Sequence, residues 1–285
     1  MKNQSTGNLR FAAITAALGA GLSSAALAGT PEPAPMMTPV AADDSVVSGN
    51  LSLDLNSHFI SYGFDVWGGG DSFGGDSTFN PALELNFAFT ENFTAILGTW
   101  WDVNDNAGSP IGGDLQEVDV WAGGSYAFGD LSVTALYQAW MYGGDTEHIL
   151  DISLAYDCFL SPSVTFHNRL DAGAAAAGGS QDGTVIVPGI EYGFDLGPVS
   201  FAVPLNAGFF LDDGFHGFDA LGNVTDSGFG YVSIGLNASY AIPCDERFGA
   251  WDIHGGVTYY NTQEDVINNP SDSFFTWNVG IGCSF

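Results

Sequence analysis

The sequence predicts an all-β fold: a transmembrane, antiparallel, up-and-down β-barrel of about 12 strands. Apolar and polar residues alternate with a period of two along most of the chain, as they do in strands that have one apolar and one polar face. Past the first 30 residues, no stretch approaches the ~20 apolar residues that a membrane helix needs. A spanning structure must then be a closed barrel, because lipid cannot satisfy the backbone groups of an open sheet edge.

The first 28 residues have the features of a signal peptide. Lys2 and Arg10 give a positive start, residues 11–27 are mostly apolar, and Ala26-Leu27-Ala28 forms a cleavage site. A short membrane anchor is the alternative, but Gly and Ser interrupt the apolar run. Residues 29–48 contain four prolines and predict a flexible or polyproline tail. We therefore expect a signal peptide at 1–28, a Pro-rich tail at 29–48 and an outer-membrane barrel at 49–285.

The barrel region divides into twelve alternating segments. In the first, Leu51, Leu53 and Leu55 alternate with polar residues, and no segment of similar length shows a helical pattern. The segments begin near Gly49, Thr78, Asn92, Asp114, Asp130, Glu147, Ser163, Thr184, Val199, Ser227, Phe248 and Ser273.

Short and long connections alternate between these segments, as periplasmic turns and external loops do in outer-membrane barrels. An even strand number places both ends of the barrel on the periplasmic side. The predicted long loops are 68–77, 104–113, 143–146, 173–183, 212–226 and 261–272.

Alternation alone also fits a soluble, lipocalin-like barrel whose apolar face points inward. The aromatic residues favour the membrane alternative, because Phe93 and Trp101 share the apolar face eight residues apart, as do Trp251 and Tyr259. That separation spans roughly 20 Å of the membrane normal, close to the apolar band between the aromatic girdles of such barrels. No charged residue falls in the apolar register of a clear strand. The alternation continues to Phe285, similar to the C-terminal signal of outer-membrane barrels.

The chain is strongly acidic, with a formal net charge of -29. Residues 1–28 carry two cations and no acid, so the remainder carries -31, and its only fixed cations are Arg169 and Arg247. This balance disfavours nucleic acid and anionic membrane surfaces as partners and favours cations. Adaptation to a salty habitat is the alternative explanation.

Three stretches of the barrel region match the motifs of a known family: SGNL at 48–51 with SHFISYGF at 57–64, GDLSV at 129–133 through Tyr142, and DTE at 145–147 with LAYD at 154–157 and LSPSV at 160–164. In these stretches residues 49–285 resemble the TorF-like porin family of bacterial outer-membrane barrels. The family's first motif usually has Arg before its Gly, whereas here Tyr62 precedes Gly63, so no role of that Arg is carried over. The resemblance implies an outer-membrane, porin-like channel for passive diffusion of small solutes, in contact with outer-membrane lipid after export.

The polar register of the strands predicts a lumen rich in carboxylates, which favours cations over anions along an aqueous path. Among the predicted lining residues, only Arg169, with His167 and His254, can carry the positive charge that would oppose this preference. The alternative is that acids cluster at the loops and the middle of the lumen is neutral. The predicted lumen-lining residues are Asp54, Glu84, Asp102, Glu117, Asp119, Glu147, Asp151, His167, Arg169, Asp171, Glu191, Asp252 and His254.

Two further functions remain as alternatives. A lipid-modifying enzyme would need Ser, His and an orienting group on the lipid-facing surface, but no G-x-S-x-G motif occurs and the inward His residues face away from lipid. We therefore predict no catalytic residues and no enzyme activity. A structural barrel that only anchors is the other alternative. The sequence leaves the oligomeric state open.

The three cysteines allow one pair at most. Cys244 and Cys283 are the candidate disulfide, because both fall at the periplasmic ends of neighbouring segments, where disulfides persist. Cys158 could compete, and three free thiols are the alternative.

One long loop is a candidate calcium site, since Asp212, Asp213, Asp219 and Asp226 lie in it among several glycines. Their spacing does not match an EF-hand, and a solvated loop is the favoured alternative. The sequence predicts no other cofactor and no other metal.

Overall fold

The computed structural model describes residues 46–285. The predicted signal peptide, and the Pro-rich tail as far as residue 45, lie outside the described residues. The first strand begins at Val47, two residues before the predicted start of the barrel.

Twelve long strands close into one antiparallel barrel, and each strand pairs with its neighbours along the chain. This confirms the predicted fold class and strand number. The barrel strands are β1 (Val47–Asn56), β4 (Thr78–Ala88), β5 (Phe93–Val103), β6 (Leu115–Phe128), β7 (Leu131–Met141), β8 (Thr146–Tyr156), β9 (Ser163–Asp171), β10 (Gly183–Leu196), β11 (Val199–Phe210), β12 (Gly228–Ile242), β13 (Ala250–Thr262) and β14 (Ser273–Ser284). Two short strands, β2 (Ile60–Ser61) and β3 (Phe64–Asp65), form a separate hairpin.

Pairing of β1 with β14 closes the barrel. Seven residue pairs join these strands, from Asn50 opposite Ser284 to Asn56 opposite Asn278. Gly49 and Phe285 extend the seam, exchanging N–H···O bonds of 2.8 and 3.0 Å. The ring of Phe285 covers Gly49, where a Cβ would collide with it.

The two faces of each strand have opposite character. Large apolar side chains such as Leu97, Ile234 and Val257 point outward and are about half exposed, which suits a surface in contact with lipid. Phe93 and Trp101 are exposed on the same outer face, as their spacing predicted. No helix within residues 46–285 is long and apolar enough to cross a bilayer.

Five long connections lie at the barrel end opposite Val47, which we call the external end. The predicted long loop at 143–146 is a short turn at that same end, spanning 142–145, and the connections at the other end are all short. A 3₁₀ turn, Gly173–Gly178, lies in one long connection, and a shorter one, Glu246–Phe248, lies in the turn before β13. The first long connection spans 57–77 rather than the predicted 68–77, because β1 ends at Asn56. Residues 57–67 leave the wall and enter the lumen. We call this segment the inner loop.

Candidate functional site

The inner loop fills the external half of the lumen. Ser57, His58, Phe59, Tyr62 and Asp65 are each at most 5% exposed, although none lies in a barrel strand. Tyr62 and Gly63 form the tip between β2 and β3, both with positive φ, of 47° and 79°. Such a pair makes the tight primed turn of a two-residue hairpin, with which glycine is compatible and tyrosine is not. The turn is therefore held by its surroundings.

Apolar packing fixes the inner loop on both sides. Phe59 contacts Trp100 at a ring separation of 5.1 Å and belongs to a buried cluster with Trp121. On the other side, Ile60 and Tyr62 join a larger cluster that includes side chains of the last two long loops. The loop is thus packed between opposite walls of the barrel.

Hydrogen bonds from another loop add to this packing. Asn269, between β13 and β14, accepts the N–H of Asp65 at 2.8 Å and donates to the carbonyl of Gly63 at 2.7 Å. The Asp65 carboxylate accepts the N–H of Gly70 at 2.7 Å. Burial raises the pKa of Asp65 above its usual value, and this backbone bond partly offsets the rise.

A buried polar chain joins the tip of the inner loop to the barrel wall. Tyr62 Oη lies 2.5 Å from His167 Nδ1, which lies 2.7 Å from Asp151 Oδ1. Asp151 also accepts from Gln138 Nε2 at 2.6 Å, and Gln138 accepts from Trp140 Nε1 at 3.0 Å. Strands β7, β8 and β9 thereby hold the hairpin tip.

Carboxylates gather on one side of the external half of the lumen. Glu117, Asp119 and Glu147 are each at most 3% exposed, and Glu117 interacts electrostatically with the other two and with Asp102. Arg169 is the counter-charge, with Nε 3.0 Å from Glu147 Oε2. Asp102 receives hydrogen bonds from Thr78, from Asn104 at 2.9 Å and from the inner-loop residue Trp67 at 3.0 Å.

A second ionisable group lies on the wall nearer the seam. His254 Nδ1 is 2.6 Å from Asp252 Oδ1, and its Nε2 is 2.6 Å from Asp54 Oδ1. Carboxylates only accept hydrogen bonds, so both ring nitrogens are placed as donors. Gly280 and Gly282 on the intervening strand leave the room, because a Cβ at either would collide with these side chains.

Most of the predicted lining residues face the interior. Asp102, Glu117, Asp119, Glu147, Asp151, His167, Arg169, Asp252 and His254 are buried, and Asp54, Glu84 and Glu191 are half-buried. Asp171, by contrast, is exposed at the end of β9, contrary to the prediction that it lines the lumen. A register shift pairs it with His148, which is on the outer face beside Tyr137. Because β9 has one extra residue at this point, the side chain of Asp171 lies on the outer side of the barrel rather than in the lumen.

Loop 211–227 also folds inward, and Arg169 holds it. Arg169 Nη1 donates to the carbonyl of Phe215 at 2.7 Å, and its guanidinium carbon lies 3.9 Å from the centre of the Phe215 ring. The neighbouring His216 stacks on Phe64 of the inner loop at 5.2 Å. Burial, and then the charge of Arg169, lower the pKa of His216 to about 3.

The four acids of the candidate calcium loop do not come together as a cation site. Asp212 and Asp213 accept the backbone N–H groups of Thr184 and Ser227, and Asp219 caps its own turn at Asn223. Within residues 46–285, no three Asp, Glu, His or Cys side chains come together as metal ligands.

The cysteines are free thiols. Cys158 and Cys244 are exposed and Cys283 is buried, so the predicted bridge is not formed. Cys244 Sγ and Cys283 Sγ approach the carbonyls of Gly249 and Phe248, at 3.3 and 4.0 Å, so both lie at the same turn.

Known structures with a similar shape are outer-membrane barrels. A structure titled KdgM porin is 11% identical, with 84% of this chain and 99% of that one covered and a TM-score of 0.44. A NanC porin is 10% identical, with 82% and 98% covered and a TM-score of 0.45. An anion-selective porin from Comamonas acidovorans is 11% identical, with 84% and 98% covered and a TM-score of 0.33. At these sequence identities and TM-scores, the similarity supports no conclusion about function.

No family model matches the sequence, and no curated protein is similar to it. The resemblance to the TorF-like family therefore remains a prediction.

The inner loop is the part of the site that sequence reasoning missed. Phe59, Ile60 and Phe64 look like an extension of the first strand, because their apolar character fits a barrel wall as well as a packed interior. The dipeptide Tyr62-Gly63 was the available signal, since a glycine after a bulky residue within a strand pattern indicates a turn. The sequence also gives no signal that Phe215 and His216, which belong to an acidic loop, point into the barrel.

Proposed function

We propose that this protein is an outer-membrane channel of the TorF-like porin family, which passes small solutes by passive diffusion and prefers cations. The outer surface is apolar and the inner surface is polar, as a barrel with an aqueous interior requires. In this proposal, export by the signal peptide delivers the chain to the outer membrane, where it contacts lipid outside and solutes inside.

The buried carboxylates of the external half support the cation preference most directly. Glu117, Asp119 and Glu147 lie together beside the inner loop, and Arg169 is the one guanidinium among the described residues that faces them. Carboxylates around a narrow path lower the energy of a cation and raise that of an anion. The low-dielectric wall strengthens this field beyond its value in bulk water.

Reversal potentials across a salt gradient in planar bilayers test this proposal. We expect the refolded barrel to select cations at low salt, and the preference to weaken in concentrated salt, which screens over ~8 Å at physiological strength. The double variant Glu117→Gln, Asp119→Asn should lose much of the preference. The matched control Asp71→Asn, Asp130→Asn removes two exposed loop acids and should keep it. Anion selectivity, or equal potentials for the two variants, would contradict the proposal.

The filled external half favours a second candidate, a structural barrel. Phe59, Tyr62 and Phe215 occupy space that an open pore would leave to water. A folded barrel that inserts into bilayers but never conducts would support this candidate against the channel.

A further inference from the structure

Two acidic side chains of strand β6 are in direct contact in the external half of the lumen. Glu117 and Asp119 lie two residues apart, so both point to the same face of the strand. Their carboxyl groups are within hydrogen-bond reach of each other. Glu117 is 3% exposed and Asp119 is 1% exposed, so bulk water does not solvate a charge on either group.

The neighbouring acids have partners of their own. Asp102, directly opposite Glu117 on β5, accepts hydrogen bonds from several side chains. Glu147 is paired with Arg169, whose Nε lies 3.0 Å from its Oε2. The negative charges of Asp102 and Glu147 are thus compensated without any contribution from the β6 pair.

The β6 pair lacks such compensation. Within residues 46–285, no N–H or O–H group donates to either carboxylate oxygen of Asp119, or to Oε1 of Glu117. The hydroxyl of Tyr142 lies within reach of Glu117 and of Glu147. A buried carboxylate that receives no hydrogen bond is strongly unfavourable, so two adjacent ones require a further positive group.

Either a cation or a proton can compensate two adjacent carboxylates. A metal ion takes several oxygen ligands, but within residues 46–285 no three acidic, His or Cys side chains come together as metal ligands. A proton needs only the two groups that are already in contact, because a protonated carboxyl group donates and an ionised one accepts. Two carboxyl groups that share a site in this way do not both ionise.

We infer that Glu117 and Asp119 form a proton-binding site, in which the two carboxyl groups hold one proton between them at neutral pH. The pair then carries a single negative charge, and each group supplies the hydrogen-bond partner that the other lacks. One consequence rests on the proposed channel. Loss of the proton as pH rises adds a second negative charge beside the inner loop, which strengthens the preference for cations.

The charged and titratable groups around the pair favour the bound proton. Asp102 on β5 and Glu147 on β8 both face it, and their negative charges oppose a second ionisation in the pair. Tyr142, directly after β7, is a neutral hydroxyl. Arg169 on β9 is bound to Glu147. The surroundings therefore stabilise the singly charged form.

Infrared spectroscopy of the refolded barrel in detergent tests the inference. The carbonyl stretch of a protonated carboxyl group lies above the amide band and shifts when deuterium replaces the proton. We expect Glu117→Gln, Asp119→Asn and the double variant each to lose the same single stretch, because the remaining carboxyl group ionises and accepts from the new amide. The control Asp71→Asn changes an exposed loop acid and should keep the stretch. The shift on an unboiled gel shows that each variant folds.

Three results would overturn the inference. An unchanged spectrum in all three variants would show that the pair holds no proton. Loss of the stretch in only one of the single variants would assign the proton to that residue alone. Loss of two stretches in the double variant would show a proton on each group.

Reversal potentials of the same preparations separate this inference from the channel. If the stretch is lost as expected but the barrel selects anions or never conducts, the channel fails and the proton site stands. If the barrel selects cations but the spectra do not change, the proton site fails and the channel stands. If both hold, the cation preference of wild type should rise over the pH range in which the stretch disappears, and that of the double variant should not. A wild-type preference that does not follow the stretch would contradict the stated consequence.

Discussion

The hydroxyl of Tyr62, at the tip of the inner loop, lies 2.5 Å from Nδ1 of His167 on the opposite wall of the barrel. This contact joins residues 105 positions apart in the chain. It anchors the segment that narrows the lumen, so its removal should loosen the inner loop without changing the barrel.

Tyr62→Phe should raise the open-state conductance or its frequency. The ring and its packing remain, while one buried hydrogen bond of about 1 kcal/mol is lost, which shifts a two-state equilibrium about fivefold. Single-channel recording measures the shift. Tyr137→Phe is the matched control, because Tyr137 makes the same kind of bond to His148 at 2.8 Å on the outer surface. Equal conductance in both variants would show that the hydroxyl does not hold the loop.

Arg169→Gln should destabilise the barrel strongly. The variant leaves Glu147 buried without its counter-charge and frees the Phe215 carbonyl, and breaking a buried pair in this way costs about 3–5 kcal/mol. Urea unfolding in detergent, followed by the shift between folded and unfolded bands on a gel, measures the loss. Arg247→Gln breaks an exposed pair with Asp245 and should change nothing measurable. A small effect of Arg169→Gln would mean that water reaches this pair.

Loop 211–227 should loosen as pH falls below about 6.5. Its His216 has a pKa lowered to about 3, so folding keeps the ring neutral while an unpacked ring would take up a proton. The stabilisation is complete above the usual His value and is lost progressively below it, by about 2 kcal/mol at about pH 5. Arg169 and His167 both face the ring and oppose its protonation.

Hydrogen exchange of residues 211–227 checks this pH dependence, once corrected for the intrinsic rate. His216→Phe keeps the stacking on Phe64 and should flatten the dependence. His148→Gln, which changes a half-buried ring on the outer face, should keep the pH dependence. The same pH dependence in wild type and His216→Phe would assign it to another group.

Leu97→Lys should impair insertion into the membrane. Leu97 lies midway along β5, points outward and is 49% exposed, and a Lys at the bilayer midplane of a barrel costs about 2–4 kcal/mol. Folding yield into lipid vesicles measures the effect. Leu221→Lys changes a leucine that is 88% exposed in an external loop and should fold as wild type does. Equal yields would place the outer face of β5 in water.

The alternating pattern predicts most of the fold. Each strand has a polar side facing the interior and an apolar side facing lipid, so the alternation can be read locally from the sequence. That is why Leu51, Leu53 and Leu55 identified β1 and its facing. The structure differs from the sequence prediction where the position of a side chain depends on residues far away in the chain. The inner loop needs Trp100 and His167 to receive it, and the exposed position of Asp171 comes from one extra residue in β9. Neither feature leaves a periodic trace in the sequence.

The contacts that hold the inner loop come from strands far apart in the chain, which a sequence cannot bring together by spacing alone. The register of the strands predicts that Asp151, His167 and Arg169 point inward, but it does not predict their contacts with Tyr62, Gln138 and Phe215.

Closure between β1 and β14 has a consequence for the order of folding. The first strand of the barrel finds its second partner only in the last one, across more than 220 residues from Asn56 to Asn278. Until that pairing forms, two strand edges remain open, and a bilayer cannot satisfy their backbone groups. Synthesis must therefore be finished before stable insertion begins, and the chain must be kept unfolded but soluble in the meantime. Such distant pairing makes folding slow, so an accessory factor that shields strand edges would speed its assembly.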